Sequence, residues 1–425
     1  MTTWILFVIF FLLLALGIPI AFVLVISTVG YAFIIGDISW ALISQRMIYG
    51  INIFVMISLP FFILAGNIMA SGGITKRLVA CAQSFVGHVR GGLAMVDVLA
   101  CMLFGTVSGS AIAGTSAVGS LLIPAMKKEG YPSGFCAGLT SVASTCCPVI
   151  PPSLAFVIYA SCAKVSVSDM FVAGVMPGIL MGCLLMMVIY IYSRKDNFPR
   201  MKKTTWKQRG KATLEALPCL GIPVMIIGGI VSGIVTPTEA AALAVVYALV
   251  LSMIYKTITW KSLWKCVVQS AVDSGAIMLI VGGCYLFGWV ISNERITVIL
   301  TEALVGMDCS LVLKLLIINA ALLIVGMFMD SSPAILLVAP ILAPAMQSLG
   351  IDPIQTGLII CINLVLGLST PPVGVCLYAA TNISKVSFGE TVRAAMPFLL
   401  ATLGALLLIT YVPVLSQLPF MILGK

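Results

Sequence analysis

The chain has 425 residues, of which 61% are hydrophobic and 9% charged, and its mean hydropathy is +1.18. A water-soluble core cannot absorb that much apolar surface, so most of the chain must lie in a lipid bilayer. The net charge of +9 does not indicate nucleic-acid binding, because eight of the 23 Lys and Arg fall between Arg194 and Lys211. Such a cluster is typical of a cytoplasmic loop.

Other functional classes are excluded by motifs that the sequence lacks. The 13 Cys show no CxxC spacing and His88 is the single His, which argues against a zinc site or a disulfide framework. A phosphate-binding GxxxxGK[ST] loop is absent too, so this chain is not expected to hydrolyse ATP. The apolar runs are interrupted by Gly and Pro and do not alternate in polarity, which predicts an all-α polytopic membrane protein.

The sequence repeats itself at about half its length. Residues 122–126 and 342–346 share the pattern Leu-x-Pro-Ala-Met, and Pro151-Pro152 recurs as Pro371-Pro372. Internal duplication in a hydrophobic chain is typical of transporters whose site lies between the halves. We therefore predict a first repeat at 1–193, a basic cytoplasmic linker at 194–213 and a second repeat at 214–425.

In chain order, the first predicted elements are apolar helices at 4–16 and 20–35. They flank Gly17 and Pro19 and form either two short spans or one tilted span. The segment has no basic region before it and no cleavage site, so it is taken as membrane structure and not as a signal peptide. Further spans are predicted at 50–71, 172–192, 214–233, 237–255, 268–291 and 394–412.

Two segments do not have the length of crossing helices. Arms of some 15 residues rise only about 22 Å, short of a hydrocarbon core of about 30 Å. We predict re-entrant helical hairpins at 93–126, with a small polar tip at 105–116, and at 312–347, with a tip at 329–333. Each precedes a run broken at Pro-Pro, at 134–162 and at 354–382.

The charges around the hairpins differ between the halves. The first hairpin is preceded by Lys76 and Arg77 and followed by Lys127-Lys128, whereas Glu302 and Asp308 precede the second. Because basic residues stay on the cytoplasmic side, the two repeats are predicted to have inverted topology.

The hairpin tips and the Pro-Pro breaks are rich in neutral oxygen ligands, which suit a hard cation such as sodium. The alternative is that these small residues only permit close helix packing. The first candidate sodium site consists of Ser108, Gly109, Ser110, Ser144 and Thr145. The second consists of Gly326, Asp330, Ser331, Gly367, Ser369 and Thr370.

Three charged residues are candidates for more specific roles. Asp330 is a carboxylate in an apolar run, which suggests function, although it could instead cap the following helix. Arg295 could bind a substrate carboxylate, dock a partner, or extend to the membrane interface beside Glu294. Glu239 follows Thr236 and Pro237 in a capping-box pattern, so a structural role is favoured.

These motifs resemble the large membrane subunit of the tripartite ATP-independent periplasmic (TRAP) transporters. The matching stretches are the polar hairpin 105–116, Gly-Ile-Val-Thr-Pro-Thr-Glu-Ala-Ala at 233–241, Gly-Met-Phe-Met-Asp at 326–330 and Gly-Leu-Ser-Thr-Pro-Pro at 367–372. The resemblance covers essentially the whole chain.

The resemblance implies a sodium-driven secondary importer of the bacterial inner membrane that works as an elevator and needs no cofactor besides sodium ions. It implies two partners, a four-helix small membrane subunit and a periplasmic substrate-binding protein. The substrate would be a small carboxylate, with sialic acid favoured and a C4-dicarboxylate next. Its candidate contacts are Arg295, Asp330, Ser116, Pro152 and Pro372, and the structural or coupling residues are Glu239, Pro151 and Pro371.

Other functions remain as alternatives. A self-sufficient carrier of divalent anions could use a similar inverted scaffold without a binding protein, and a channel is also conceivable. An intramembrane enzyme is disfavoured, because the sequence has no HExxH motif and no paired membrane carboxylates. We therefore expect no enzymatic activity.

Overall fold

A computed structural model describes residues 3–36, 39–195, 198 and 205–423. All regular secondary structure in these ranges is helical, and eight of the described helices are long and apolar enough to cross a membrane. The predicted all-α polytopic fold is therefore confirmed. The predicted hairpins and broken helices are present as helical elements, but the hairpin arms have 17 or 18 residues and not some 15. Two of the eight long apolar helices, Leu311–Phe328 and Ser331–Ser348, are the arms of the second hairpin, so the prediction that its arms are too short to cross a membrane is wrong.

The first half contains ten of the described α-helices and two 3₁₀ turns, at Phe54–Ile57 and Ser144–Cys146. The helices are α1 (Thr3–Ala15), α2 (Ile20–Ile35), α3 (Trp40–Ile51), α4 (Ser58–Ser71), α5 (Ile74–Val86), α6 (Gly92–Ser108), α7 (Ala111–Lys128), α8 (Ser133–Ala143), α9 (Leu154–Ala163) and α10 (Val167–Lys195).

The second half contains ten more described helices. They are α11 (Trp206–Val231), α12 (Pro237–Ile254), α13 (Trp260–Asn293), α14 (Ile296–Gly306), α15 (Leu311–Phe328), α16 (Ser331–Ser348), α17 (Pro353–Gly367), α18 (Val375–Ser384), α19 (Phe388–Tyr411) and α20 (Val414–Leu423).

The helices predicted at 4–16 and 20–35 are present, whereas two other predicted boundaries need correction. Residues 3–35 form two helices, α1 and α2, which pack on each other on either side of Gly17. The predicted span 50–71 starts later than predicted, because α3 extends to Ile51 and the 3₁₀ turn at Phe54–Ile57 then leads into α4, so that Phe54–Ser71 is the stretch long enough to cross a membrane. Helices also enter the predicted linker 194–213 from both sides, where α10 ends at Lys195 and α11 begins at Trp206. Residues 196–197 and 199–204 of that linker lie outside the described residues.

The hairpin tips are much shorter than predicted. In the first hairpin only Gly109 and Ser110 separate α6 from α7, so most of the predicted tip 105–116 is helical. Gly109 adopts a left-handed φ of 59°, and the Ser110 hydroxyl then caps α7 by accepting the Ala113 N–H at 3.4 Å. In the second hairpin α16 begins directly after Asp330, which accepts the Ser331 N–H at 2.7 Å.

Each hairpin is followed by a broken helix. In the first half α8 passes through the 3₁₀ turn and a cis Pro151-Pro152 bond to α9, and in the second α17 passes through a cis Pro371-Pro372 bond to α18. The Ser153 hydroxyl donates to the Pro148 carbonyl and caps α9 by accepting the Phe156 N–H. Backbone groups freed by the breaks are thus partly satisfied by nearby side chains.

The two halves interlock through these elements. Helix α16 of the second hairpin packs against α9, and α18 packs against α7 and α8 of the first half. A hydrogen bond of 2.6 Å from the Ser369 hydroxyl to the Ser141 carbonyl joins the second break to α8. Helices α10 and α19 cover this bundle, whereas α13 packs with α2, α3 and α4, and α12 packs with α4. The fold therefore has an interlocked bundle beside a second group of helices.

The predicted capping box at the start of α12 is present. Glu239 Oε2 accepts the Thr236 N–H at 2.7 Å, the Thr236 hydroxyl accepts the Glu239 N–H at 3.3 Å, and Pro237 occupies the first helical turn. These bonds satisfy donors that the helix itself leaves unpaired.

Candidate functional site

Both hairpin tips face one cavity of about 480 Å³. Residues 108–113 at and beside the first tip and 330–333 at and beside the second line it together with the start of α9. The opposite wall comes from α4 and α13, which a hydrogen bond of 2.9 Å from Asn67 Nδ2 to Ser270 Oγ holds together. The cavity therefore lies between the interlocked bundle and the other group of helices.

The first tip rests directly on the first helix break. A Cβ atom on Gly109 would lie 3.1 Å from the Pro152 carbonyl oxygen, and one on Gly105 would lie 2.5 Å from Cys147 Cα. Behind the tip, the Thr115 hydroxyl donates to Ser144 Oγ at 2.6 Å. The tip and the break thus pack without room for side chains between them.

The hydroxyl groups beside the first break already donate their protons. Ser144 Oγ donates to the Ser141 carbonyl at 2.8 Å, and Thr145 Oγ1 donates to the Val142 carbonyl at 2.6 Å. A hydroxyl oxygen that donates its proton keeps lone pairs for another partner. Both oxygens can therefore act as neutral cation ligands without losing these bonds.

The second tip has the same architecture with a charged residue at its turn. A Cβ on Gly367 would lie 2.2 Å from the Gly326 carbonyl carbon, so here hairpin and break touch backbone to backbone. Asp330 caps α16 and lines the cavity with Ser331, while Thr370 Oγ1 donates to the Leu366 carbonyl at 2.8 Å. Asp330 is therefore both the cap of α16 and an exposed carboxylate that lines the cavity.

The charge of the cavity is negative. Its charged lining residues are Asp330 on the second tip and Asp273 on α13, and no described Lys or Arg lines it. Asp273 Oδ1 accepts a hydrogen bond of 2.9 Å from Gln269 Nε2. Two carboxylates that line one pocket favour the entry of cations.

The predicted site residues occupy three positions relative to this cavity. Ser108, Gly109, Ser110, Ser116, Asp330 and Ser331 line it. The remaining candidate sodium ligands lie at the two helix breaks or at their contacts with the hairpins and are buried: Ser144, Thr145, Gly326, Gly367, Ser369 and Thr370. Pro151 and Pro152 are buried at the first break, Pro371 is half-buried and Pro372 exposed at the second, and none of these prolines lines the cavity.

Arg295 is not brought to the cavity. It is exposed at the turn between α13 and α14, where it adopts a left-handed φ of 54°. Arg295 does not line the tip cavity, so its contact with a substrate carboxylate stays a prediction. Helix α13 ends at Asn293, so Arg295 lies beyond the C-terminal end of this helix, whereas Asp273 lies in its N-terminal half.

Sequence reasoning missed three polar residues. Asn67 and Asp273 line the cavity from α4 and α13, and Asp97 is fully buried in α6, where it accepts a hydrogen bond of 2.9 Å from Thr140. Each lies in an apolar run, which is the same signal that singled out Asp330. Applying that rule to every run would have found all three.

Comparisons with known proteins agree with this architecture. The family described as "Tripartite ATP-independent periplasmic transporter, DctM component" matches residues 7–415. The C4-dicarboxylate TRAP transporter large permease protein DctM of Pseudomonas aeruginosa is 39% identical over 85% of each chain. The sialic acid TRAP transporter large permease protein SiaM of Vibrio cholerae is 34% identical over 97% of each chain.

A solved structure supports the fold independently. The YdaH transporter of Alcanivorax borkumensis, described as having an unusual topology, aligns with a TM-score of 0.63 at 14% identity, covering 90% of this chain and 87% of that one. The relatives are named as permease proteins of transporters and not as enzymes. From the family match and the length of these alignments, the chain belongs to the DctM component family of the tripartite ATP-independent periplasmic transporters.

Proposed function

We propose that this chain is the large transmembrane subunit of a sodium-driven TRAP importer that moves a carboxylate into the cytoplasm. The observation that carries the proposal is the meeting of two hairpin tips, each from a hairpin that rests on a helix break, at one cavity whose described charged lining residues are Asp273 and Asp330. An anionic substrate entering beside two carboxylates is repelled unless cations bind with it. Sodium held by the oxygens at the tips and breaks would supply that positive charge and couple substrate to ion.

The movement that we propose is an elevator. Each hairpin packs on the broken helix of the opposite half, so α7, α9, α16 and α18 are tied into one unit. A unit of this kind can slide against α4 and α13 without exposing its internal polar groups. The repeats would have opposite orientations in the membrane, as the distribution of basic residues predicts.

The substrate class that we propose is a small carboxylate. The resemblance favoured sialic acid, with a C4-dicarboxylate next, and relatives with each of these names cover most of the chain. The dicarboxylate relative has the higher identity, so succinate is the first compound to test and sialic acid the second. In both cases the carboxylate would contact the tips, where Ser110, Ser116 and Asp330 line the cavity.

We also propose the partners and the location. The family's description names a tripartite, periplasmic system, which supports a small membrane subunit of four helices and a periplasmic substrate-binding protein as the other two components. Such a system belongs in a bacterial inner membrane, where a multi-pass permease would receive its substrate from the periplasmic side.

The test is uptake of labelled substrate by liposomes that contain this chain and its small subunit. Accumulation should require an inward sodium gradient and binding protein loaded with substrate. Replacing sodium by potassium at equal ionic strength should abolish accumulation. Undiminished uptake without binding protein would instead favour a self-sufficient carrier, and uptake without any sodium gradient would contradict sodium coupling.

A further inference from the structure

A second cavity, of about 680 Å³, adjoins the first and is called the vestibule here. It is lined by residues that include Thr75, Lys76, Arg77, Ser120, Glu215 and Thr257. Ala70 of α4 lines both cavities, and Glu215 lies on α11, whose first turns belong to the basic stretch 194–211. The vestibule therefore lies next to the tip cavity on the basic side of the molecule.

The charge reverses between the two cavities. Among the residues that the structure describes, two carboxylates line the tip cavity, whereas Lys76 and Arg77 line the vestibule with one acid, Glu215, whose carboxylate lies 4.0 Å from Lys211. Both cations lie in the first turn of α5, which has no acidic residue and no capping side chain. Cations are unfavourable at that end of a helix, where the dipole is already positive. A bound anion would compensate both charges and the free amides.

Two backbone carbonyl groups beside the vestibule already accept hydrogen bonds from side chains. Arg77 is fixed over the Tyr255 ring at 3.6 Å and donates to the Gly73 carbonyl at 3.2 Å. The Thr257 hydroxyl donates to the Gly72 carbonyl at 2.7 Å. Two carbonyl oxygens that would repel an anion are thus already hydrogen-bonded.

One donor in the vestibule lacks a partner. Thr75 is only 4% exposed, and its hydroxyl makes no hydrogen bond to any residue that the structure describes. A buried hydroxyl without a partner is costly and calls for a ligand or a water molecule. Lys76, in contrast, is exposed and has no carboxylate within ion-pair distance among the described residues, so its ammonium group is available.

We propose that the vestibule is a binding site for the carboxylate group of a solute that leaves the tip cavity. Lys76 is its mobile cation, the Thr75 hydroxyl and the first amides of α5 are its donors, and Arg77 forms a fixed positive wall. This site rests on the proposed function only in that the transported solute is anionic. It gives an anion released from the negative tip cavity a favourable next position on the basic side.

The test measures occupancy without transport. Ser120→Cys, an exposed position in the vestibule, is alkylated with a neutral maleimide in nanodiscs that hold the large and small subunits, and labelling of that peptide is followed by mass spectrometry. Succinate is titrated in sodium-free buffer and its neutral analogue succinamide serves as the matched probe. Succinate should protect the cysteine, and succinamide should not.

Two substitutions locate the site. Lys76→Gln should raise the succinate concentration for half-protection by about fivefold, as expected for an ion pair in a wet cavity. Thr75→Val should weaken protection as well, whereas Lys261→Gln removes an equal charge from the exposed start of α13, outside the vestibule lining, and should change nothing.

Equal protection by succinamide, or unchanged protection in Lys76→Gln, would overturn the proposal. No protection by succinate at any concentration that leaves the complex intact would overturn it too. The readout needs neither sodium coupling nor a binding protein, so a failure of sodium-driven uptake would leave this result standing and would count against the proposed function alone.

Discussion

The two hairpins of this protein share a backbone plan and differ in charge. Both end in a turn of two residues whose second member caps the next helix, Ser110 in the first hairpin and Asp330 in the second. Both rest on the break that follows them through glycines, Gly105 against Cys147 and Gly326 against Gly367. The capping function is met equally well by a hydroxyl and by a carboxylate, so capping does not explain the charge at the second tip.

A second difference lies deeper in the hairpins. In the first hairpin, buried Asp97 of α6 is joined to α8 through Thr140, whereas in the second, Asn363 of α17 donates to Asn319 of α15 at 2.5 Å. The first half therefore has its carboxylate inside the helix packing and a neutral tip. The second half joins α15 to α17 through neutral amide groups and has the carboxylate of its tip, Asp330, at the cavity. The duplicated frame supplies the shape, and both described carboxylates that line the cavity, Asp273 and Asp330, belong to the second half.

The largest expected effect tests what the halves share. Gly367→Ala and Gly105→Ala should each cost about 3 kcal/mol through overpacking and abolish uptake, because the new Cβ would lie 2.2 Å and 2.5 Å from backbone carbon atoms. Thermal unfolding in detergent measures this. Gly404→Ala, in α19 with no atom within 4 Å of the new Cβ, is the control and should be neutral or stabilising. If only one of these two variants is destabilised, the two halves do not share the close packing between hairpin and helix break.

The next effect tests the charge difference. Asp330→Asn should keep the cap but raise the sodium concentration for half-maximal uptake at least about tenfold, since the tip loses its charge. Sodium titrations of initial uptake rate measure this. Asp97→Asn removes a carboxylate of the first half that does not line the cavity, and its sodium dependence should stay close to that of the wild type. A larger change in sodium dependence for Asp97→Asn than for Asp330→Asn would contradict the assignment of the sodium-binding charge to Asp330 at the second tip.

A smaller effect concerns the buried bridge of the first hairpin. Thr140→Val leaves both carboxylate oxygens of Asp97 without a partner, because Oδ1 already has none among the described residues. We expect a loss of about 2 kcal/mol in the free energy of unfolding, measured by thermal or denaturant unfolding in detergent. Thr140→Ser should restore most of it. In an Asp97→Asn background the cost of Thr140→Val should shrink, and an undiminished cost would mean that the threonine acts through packing alone.

The smallest effect is expected outside both hairpins. Glu239→Gln keeps a side-chain oxygen that can accept the Thr236 N–H, so sodium dependence and thermal midpoint should both match the wild type. Uptake titrations beside those of Asp330→Asn provide the measurement. A shift in sodium dependence would reveal a coupling role for Glu239 that the capping box does not explain.

Local features were predictable because they depend on neighbours in the chain. The hairpin arms, the Pro-Pro breaks and the capping box at Thr236 each follow from a pattern of a few residues, and each is present. The hairpin tips were predicted to be too long, and this error also has a local cause. A capping residue restarts a helix at once, so Ser110 and Asp330 shorten turns that the run of small polar residues made look long.

The site itself depends on contacts between distant segments. By itself, the sequence determined a duplicated all-helical membrane protein with two polar tips, because apolar length, small residues and caps act over a few turns. The tertiary structure alone decided that Asn67 and Asp273 face those tips and that Arg295 does not. Residues more than 200 positions apart meet only through helix packing, and that packing is also what separates a negative cavity from a positive vestibule.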